Sequence, residues 1–247
     1  MVDFRNLYRM NPDNKLIQRD YVTAAIRIGS ELPVELAGIR PFDYALNNKI
    51  VYVVLFNGRA PALKQEKFQI VLPYVGYTGI AFPKYEYFPV LLPGLEVSYR
   101  FNNKEQTART ELVSDFDAIM SQEYHDKLPS MITRLVISTL TKEMASYAIV
   151  HAANQSGRGE AQIAAYLLTG TYKFMFNTAD TRGWETLPKE VQVTHMPIPD
   201  DGVLRVSPIG RGGQSREMVL KKDTNIAIVY IRALSANKLN YKLIELQ

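Results

Sequence analysis

The sequence contains no cysteine among its 247 residues. Without thiols the chain can neither use a thiolate nucleophile, nor bind zinc through cysteine, nor form a disulfide. It also contains only three histidines and one tryptophan. A chain of this length buries roughly 70–75% of the surface that it exposes when unfolded, so noncovalent burial alone can hold a core.

Long apolar runs are missing as well. The longest, residues 50–56 and 70–75, have the length of strands and fall short of the ~18–20 residues that a membrane helix needs. The first residues show no charged segment followed by an apolar stretch, which is the pattern of a signal peptide. We therefore expect either a cytoplasmic protein or the C-terminal part of a longer chain, and the motifs described below favour the second.

Neither sign of charge is in large excess. The 29 lysines and arginines exceed the 25 aspartates and glutamates by only 4, and the densest basic block is Lys221-Lys222. A nucleic-acid groove neutralises several phosphates together, so we predict no nucleic-acid partner. With 47% apolar and 22% charged residues, the composition is that of a globular protein with one large domain or two small ones.

The pattern at residues 3–29 predicts helix. Apolar residues recur at helical spacing on both sides of a break at Asn11-Pro12-Asp13-Asn14, which consists of helix-terminating and capping residues. The break resembles the turn between two tetratricopeptide-like helices. Because one such repeat cannot bury its own apolar face, we expect this segment to be the end of a longer stack, with its face partly exposed or covered by a second copy.

Most of the remaining chain predicts strands. Runs of β-branched and aromatic residues are separated by turn signals such as Asn57-Gly58 and Asn102-Asn103. The predicted strands are residues 49–56, 68–73, 79–83, 95–101, 106–113, 190–196, 202–208, 216–222, 224–233 and 239–246.

Between the two strand regions the sequence predicts a helical hairpin at about 118–177. Ser121 or Asp126 can cap its first helix with Pro129 in the first turn, and residues 154–159 break it. We expect the apolar face of the hairpin to lie against the sheet. The predicted fold class is α+β: an antiparallel β-sandwich-like module at residues 48–247 with the inserted hairpin, after a helical remnant of a repeat arm at residues 1–47.

Motifs of known chemistry do not occur. His125, His151 and His195 lack metal-ligand spacing, and we interpret His195, on an alternating strand, as a satisfied sheet residue. The Gly-rich segment 208–216 precedes a strand and is interpreted as a hairpin turn rather than a phosphate loop. Gly-x-Ser-x-Gly is absent, although a carboxylate pair assembled by the fold would leave no spacing signal. We predict a non-enzymatic protein without catalytic residues, metal or cofactor.

Aromatic residues are dense at 74–88. Tyr74, Tyr77, Tyr85 and Tyr87 form a possible binding surface on which sugars or peptides could stack, or else they fill the edge of the sandwich. The alternative function is therefore a carbohydrate-binding or carbohydrate-active module that uses this cluster.

Four ordered segments resemble a known family. The segment Asp180-Thr-Arg-Gly-Trp-Glu-Thr-Leu-Pro188 matches the family motif Asp-Thr-Arg-x-Trp-x-Thr-Leu-Pro position for position. Segments 51–61, 79–85 and 110–119 match further elements of the family in the same order. The chain thus resembles an uncharacterised family of bacterial envelope lipoproteins, in which tetratricopeptide-like helices precede a β-rich C-terminal module.

The resemblance implies a structural or protein-interaction role at the periplasmic face of the outer membrane, with protein partners in the cell envelope. Membrane attachment would come only through an N-terminal lipid anchor, which we expect to be absent from this chain. The family carries no assigned reaction, so the resemblance implies no catalytic residues.

The shared motif predicts a structural clasp. Asp180 and Thr181 suit a turn, and Arg182 offers a planar fork of five donors. We expect Trp184 to be a buried plate that joins the helical hairpin to the second sheet, so that Trp184→Ala would cost about 3–5 kcal/mol. A ligand site at these four residues is the alternative.

Overall fold

The computed structural model describes residues 2–47, 49–72, 76–176, 179–184, 186–210, 214–235 and 238–247, with their side chains except those at 70–72, 76–78 and 172–176. These residues form helices and largely antiparallel sheets, which confirms the predicted α+β class. The chain divides into two compact units. The first comprises Met1–Ala60, Phe88–Phe116 and Thr186–Gln247, and the second comprises Pro61–Tyr87 and Asp117–Glu185.

Helices and strands follow one another in blocks along the described chain. The helices are α1 (Val2–Met10), α2 (Lys15–Ile28), α3 (Asp43–Leu46), α4 (Phe116–Gln155) and α5 (Gly159–Phe176). The strands are β1 (Ile50–Asn57), β2 (Ala62–Leu72), β3 (Gly76–Glu86), β4 (Leu95–Phe101), β5 (Lys104–Arg109), β6 (Glu111–Asp115), β7 (Glu190–Pro197), β8 (Val203–Pro208), β9 (Arg216–Val219), β10 (Ile226–Ser235) and β11 (Lys238–Leu246).

The first unit contains two sheets that share one core. One sheet has the order β11-β10-β1-β7-β6 and the other the order β5-β4-β8-β9. Strand β1 runs parallel to β10 and antiparallel to β7. Alternate residues of both sheets point into a common buried cluster, as the two-residue period of a strand requires. Its largest fully buried side chains are those of Leu55, Leu95, Met196, Leu204 and Ile231.

The N-terminal helices belong to the first unit. The side chain of Asn14 accepts hydrogen bonds from the backbone N–H groups of Leu16 and Ile17, and Gly29 ends α2 at φ 65°. This confirms the predicted helices and the break between them, because Asn at a cap satisfies donors that the first turn leaves unpaired. Helix α1 has no buried residue, so the expected partial exposure is observed. The longer stack and the predicted division at residues 47 and 48 stay predictions.

The hairpin turn between β4 and β5 occurs where the sequence placed it, whereas the turn predicted at 208–216 lies partly outside the described residues. Asn102 and Asn103 adopt φ angles of 53° and 59° between β4 and β5. Both values lie in the left-handed region, which two-residue hairpin loops require and which asparagine tolerates better than most residues. The predicted turn at Phe101–Lys104 is therefore confirmed by the register of β4 and β5.

The second unit consists of the β2–β3 hairpin and the two helices α4 and α5. The break between the helices at residues 156–158 is confirmed, but α4 begins at Phe116, before either predicted cap. Pro129 consequently lies inside the helix rather than in its first turn. A proline there removes one intrahelical hydrogen bond.

The packing predicted for the helical hairpin is wrong for most of its apolar face. Ile132, Val136, Leu140, Met144 and Tyr147 of α4 are exposed rather than covered by a sheet. Both buried apolar clusters of the described residues lie in the first unit. In the second unit the described apolar side chains that are buried are those of Ala81, Ala165 and the initial Pro61.

Candidate functional site

The most distinctive surface of the second unit lies on its helices. We call it the hairpin surface and define it by nine exposed apolar side chains. They are those of Ile137, Leu140, Met144, Tyr147 and Ile149 on α4 and of Ile163, Tyr166, Leu167 and Leu168 on α5. These side chains are spread around both helices, because residues two apart, such as Tyr147 and Ile149, point to different sides of a helix.

The side chains of these helices that the structure describes as buried are small or polar. They are Glu143 and Ser146 on α4 and Ala165 and Thr169 on α5. The Thr169 hydroxyl donates to the carbonyl oxygen of Ala165 at 2.8 Å, so its burial leaves no unsatisfied donor. A helix that packs by the hydrophobic effect alone shows the opposite pattern, with polar residues outside. The hairpin thus presents its apolar side chains outward.

An apolar groove of about 490 Å³ lies within the second unit beside the hairpin surface. One wall is a face of the β2–β3 hairpin and the other is α4, where four residues recur at helical spacing. Helix residues Leu128, Ile132, Leu135 and Val136 line it together with Phe68, Ile80 and Phe82 of the strands. Its rim is polar but already paired, because Lys84 binds Glu66 at 2.9 Å and the Tyr124 hydroxyl donates to the Pro83 carbonyl at 2.8 Å.

A second groove of about 560 Å³ in the same unit has several charged side chains in a lining that is otherwise mostly apolar, and we call it the polar groove. It contains Glu123 paired with Lys127 at 2.5 Å and Asp180 paired with Arg182 at 2.7 Å. The Arg182 guanidinium lowers the pKa of Asp180 to about 2. A general acid needs a raised pKa, so Asp180 does not have the pKa of a general acid.

The segment 180–184 is exposed and does not form the predicted clasp. Arg182 donates through Nε and Nη2 to the carboxylate of Asp180, and its backbone N–H bonds to the same group. This local turn confirms the predicted chemistry of Asp180, while Thr181 is exposed. Trp184 is 71% exposed, so the prediction of a buried plate is wrong. Among the residues that the structure describes, none covers the indole.

Because Trp184 is exposed, we expect Trp184→Ala to change the free energy of unfolding by no more than about 0.5 kcal/mol, the usual range for surface substitutions. Urea denaturation followed by circular dichroism measures this directly. A loss of several kcal/mol in the free energy of unfolding would contradict the exposed position and support the structural role predicted from the sequence.

Of the four tyrosines in the predicted cluster, the structure describes the side chains of Tyr85 and Tyr87. Tyr74 lies outside the described residues, and so does the side chain of Tyr77. Tyr85 lies 5.2 Å from Tyr124 and 6.2 Å from the exposed Tyr87, measured between ring centroids. The rings of Tyr85 and Tyr87 are inclined at 57°, so they do not form the flat platform on which a sugar ring stacks.

The first unit contains a buried cluster of Asp20, Tyr44 and His195, which no sequence motif indicates. The ring of His195 on β7 is fully buried, with Nδ1 3.0 Å from the Tyr44 hydroxyl and Nε2 2.7 Å from Asp20 Oδ1. The carboxylate approaches off the line of the ring N–H bond, so Nε2 has no in-line acceptor. The predicted sheet histidine is thus buried, although only Nδ1 is satisfied.

This cluster has the wrong electrostatics for a tyrosine nucleophile. Burial, more than any neighbouring charge, raises the pKa of Tyr44 far above its ordinary value. The hydroxyl therefore stays protonated and donates to Nδ1 or to the His195 carbonyl, which lies 3.4 Å away. Since Asp20 is on α2 and Tyr44 on α3, the contacts tie the N-terminal helices to β7.

Comparisons with known proteins found no match. No protein-family model, no curated protein and no solved structure matches the chain. Within the described residues, no group of three or more His, Asp or Glu side chains is placed to hold a metal ion. None of the described helices combines the length and apolarity needed to cross a membrane.

Proposed function

We propose that the protein is a non-enzymatic component of the bacterial cell envelope with a structural or protein-interaction role, and that the hairpin surface is its contact surface. The observation that carries the proposal is the distribution of apolar side chains in the second unit. Its large described apolar residues face solvent or a groove, and none of them is buried.

Such a unit has little to stabilise it by itself. Ordering a helix or strand costs conformational entropy, and burial of apolar surface is the main term that offsets this cost. The first unit has a core of its own, whereas the second keeps the corresponding side chains exposed. A protein that covers the hairpin surface would supply the missing burial.

The cellular location rests on the resemblance of four ordered segments to envelope lipoproteins. On this resemblance we propose a location at the periplasmic face of the outer membrane. The non-enzymatic role rests on the paired carboxylates of the polar groove and on the protonated Tyr44.

A carbohydrate-binding module stays the alternative. The favourable observation is that Tyr85 lines the polar groove. The inclined rings of Tyr85 and Tyr87 and the ion-paired Glu123 and Asp180 give it less support. Titration with soluble glycans should leave the chemical shifts of the groove residues unchanged if the interaction role is correct.

Photo-crosslinking in the producing bacterium tests the proposed function. A photoreactive amino acid replaces Leu168 on the hairpin surface or, as a control of matched exposure, Val219 on β9 of the first unit; the two are 70% and 69% exposed. We expect protein adducts from position 168 in the envelope fraction and few from position 219. A soluble, adduct-free product at position 168 would contradict the proposal.

A further inference from the structure

We infer that the polar groove binds a small organic anion, one that joins a carboxylate or phosphate group to an apolar chain or ring. This inference goes beyond the proposed function, because none of the described residues that line the groove belongs to the hairpin surface. The groove has a volume of about 560 Å³, which lies within the range of roughly 300–1,000 Å³ found for small-molecule sites. Its size therefore suits a small molecule.

Positive charge is concentrated in this groove. Its described lining contains four basic side chains, which are those of Lys127, Arg134, Lys142 and Arg182. The acidic side chains of the same lining are those of Glu123 and Asp180. The resulting excess of two positive charges is half of the net charge of +4 that the whole chain carries. Because a concave site with one prevailing sign of charge attracts ligands of the opposite sign, the groove favours an anion.

Arg134 is available to hold the charged group of the ligand. Lys127 and Arg182 are already paired with the two carboxylates of the groove. Arg134 is exposed, and among the described residues it has no hydrogen-bond or ion-pair partner. Its planar guanidinium can donate two parallel hydrogen bonds to a carboxylate or a phosphate. The structure thus offers one unpaired donor fork in a groove with an excess of positive charge.

The apolar part of the lining supplies a second contact for the same ligand. Arg134 and Leu135 follow Met131 on α4 by three and four residues, and side chains at these spacings are neighbours on a helix surface. The opposite wall includes Tyr85, whose ring centroid lies 5.2 Å from that of Tyr124. An anion with an apolar body would meet the guanidinium and these side chains together, and the unbranched Met131 can adapt to its shape.

Calorimetric titration of the full chain at low salt tests the two halves of the ligand separately. The probes are octanoate, octyl phosphate, octanol and acetate, all below their micellar concentrations. We expect octanoate or octyl phosphate to bind at one site, and octanol and acetate to bind at least about tenfold more weakly, since each lacks one of the two contacts. The stronger of the two anions identifies the head group. Absence of anion binding, or equal affinity for octanol or for acetate, would overturn the inference.

Substitution of Arg134 locates the charged contact. We expect Arg134→Gln to weaken binding of the octyl anion by about tenfold or more, because the charge-assisted hydrogen bonds are lost. Arg134→Lys, which keeps the charge but not the planar fork, should give an intermediate affinity. The control is Arg158→Gln, the same change at an exposed arginine between α4 and α5 that is not part of the groove lining. Equal losses in Arg134→Gln and Arg158→Gln would show a general effect of charge and overturn the site.

Methyl resonances of two methionines show where the octyl chain lies. Met131 lines the polar groove, whereas Met144 belongs to the hairpin surface. We expect octanoate to shift the methyl signal of Met131 and to leave that of Met144 unchanged. A shift of Met144 alone would overturn the inference. Photo-crosslinking at position 168 does not depend on this result, so the anion site and the proposed function fail separately.

Discussion

Leu204→Ala is expected to lower the free energy of unfolding by about 2–5 kcal/mol, the range for truncating a buried leucine. Leu204 is fully buried on β8, where it pairs with Tyr99 of β4 and Met218 of β9. The cost combines the lost transfer of the side chain from water with the cavity that rigid sheets on both sides cannot close.

The matched control is Leu234→Ala, which makes the same chemical change at a side chain that is 55% exposed on β10. We expect it to stay within about 0.5 kcal/mol of the wild type. Urea denaturation followed by circular dichroism compares the two. Equal losses would mean that the shared core of the two sheets does not hold the first unit together.

Glu190→Ala is expected to cost about 2–6 kcal/mol, because it leaves one N–H of each of two buried amides unpaired, at about 1–3 kcal/mol each. The amide N–H groups of Asn57 and Gln192 then keep only their other bonds, to the carbonyl oxygens of Leu92 and Pro93. Glu190 Oε1 accepts from Asn57 Nδ2 and from Gln192 Nε2, both at 2.7 Å. Gln192 Oε1 in turn accepts from the Thr110 hydroxyl, which accepts from the Leu95 backbone N–H. The carboxylate thus anchors a chain of polar contacts inside the first unit.

The control for Glu190 is an exposed carboxylate that also has a partner. Glu217 pairs with Arg205 at 2.6 Å, but both side chains are more than half exposed. We expect Glu217→Ala to cost no more than about 1 kcal/mol, since water screens and replaces a surface ion pair. If the two variants lose equal stability under the same denaturation, the buried network is not the source of the effect.

Local elements could be predicted because their causes are local. Asn14 caps α2 through atoms two and three residues away, and Asn102 and Asn103 make their turn with neighbouring residues. Alternating apolar residues likewise identified the strands of the sandwich, because a strand with one buried face must alternate. The start of α4 was misplaced, since capping residues lie inside a longer helix.

The candidate site could be predicted only as a list of residues. The sequence shows the apolar positions of α4 and α5, and their spacing predicted a helix face that packs on a sheet. Periodicity shows which residues share a side of a helix, but it carries no information about what covers that side. The exposure of Trp184 was not predicted, for the same reason. The sequence shows that a residue is large and aromatic, but not whether other residues cover it.

By itself the sequence determined the α+β class, the order of the elements and the absence of thiol chemistry. Tertiary structure alone decided that β1 pairs in parallel with β10, that Asp20 and Tyr44 meet His195, and that the helical hairpin carries its apolar side chains outward. The physical reason is distance along the chain. Tyr44 and His195 are 151 residues apart, and such contacts form only because burial of the whole first unit compensates the entropy of bringing them together.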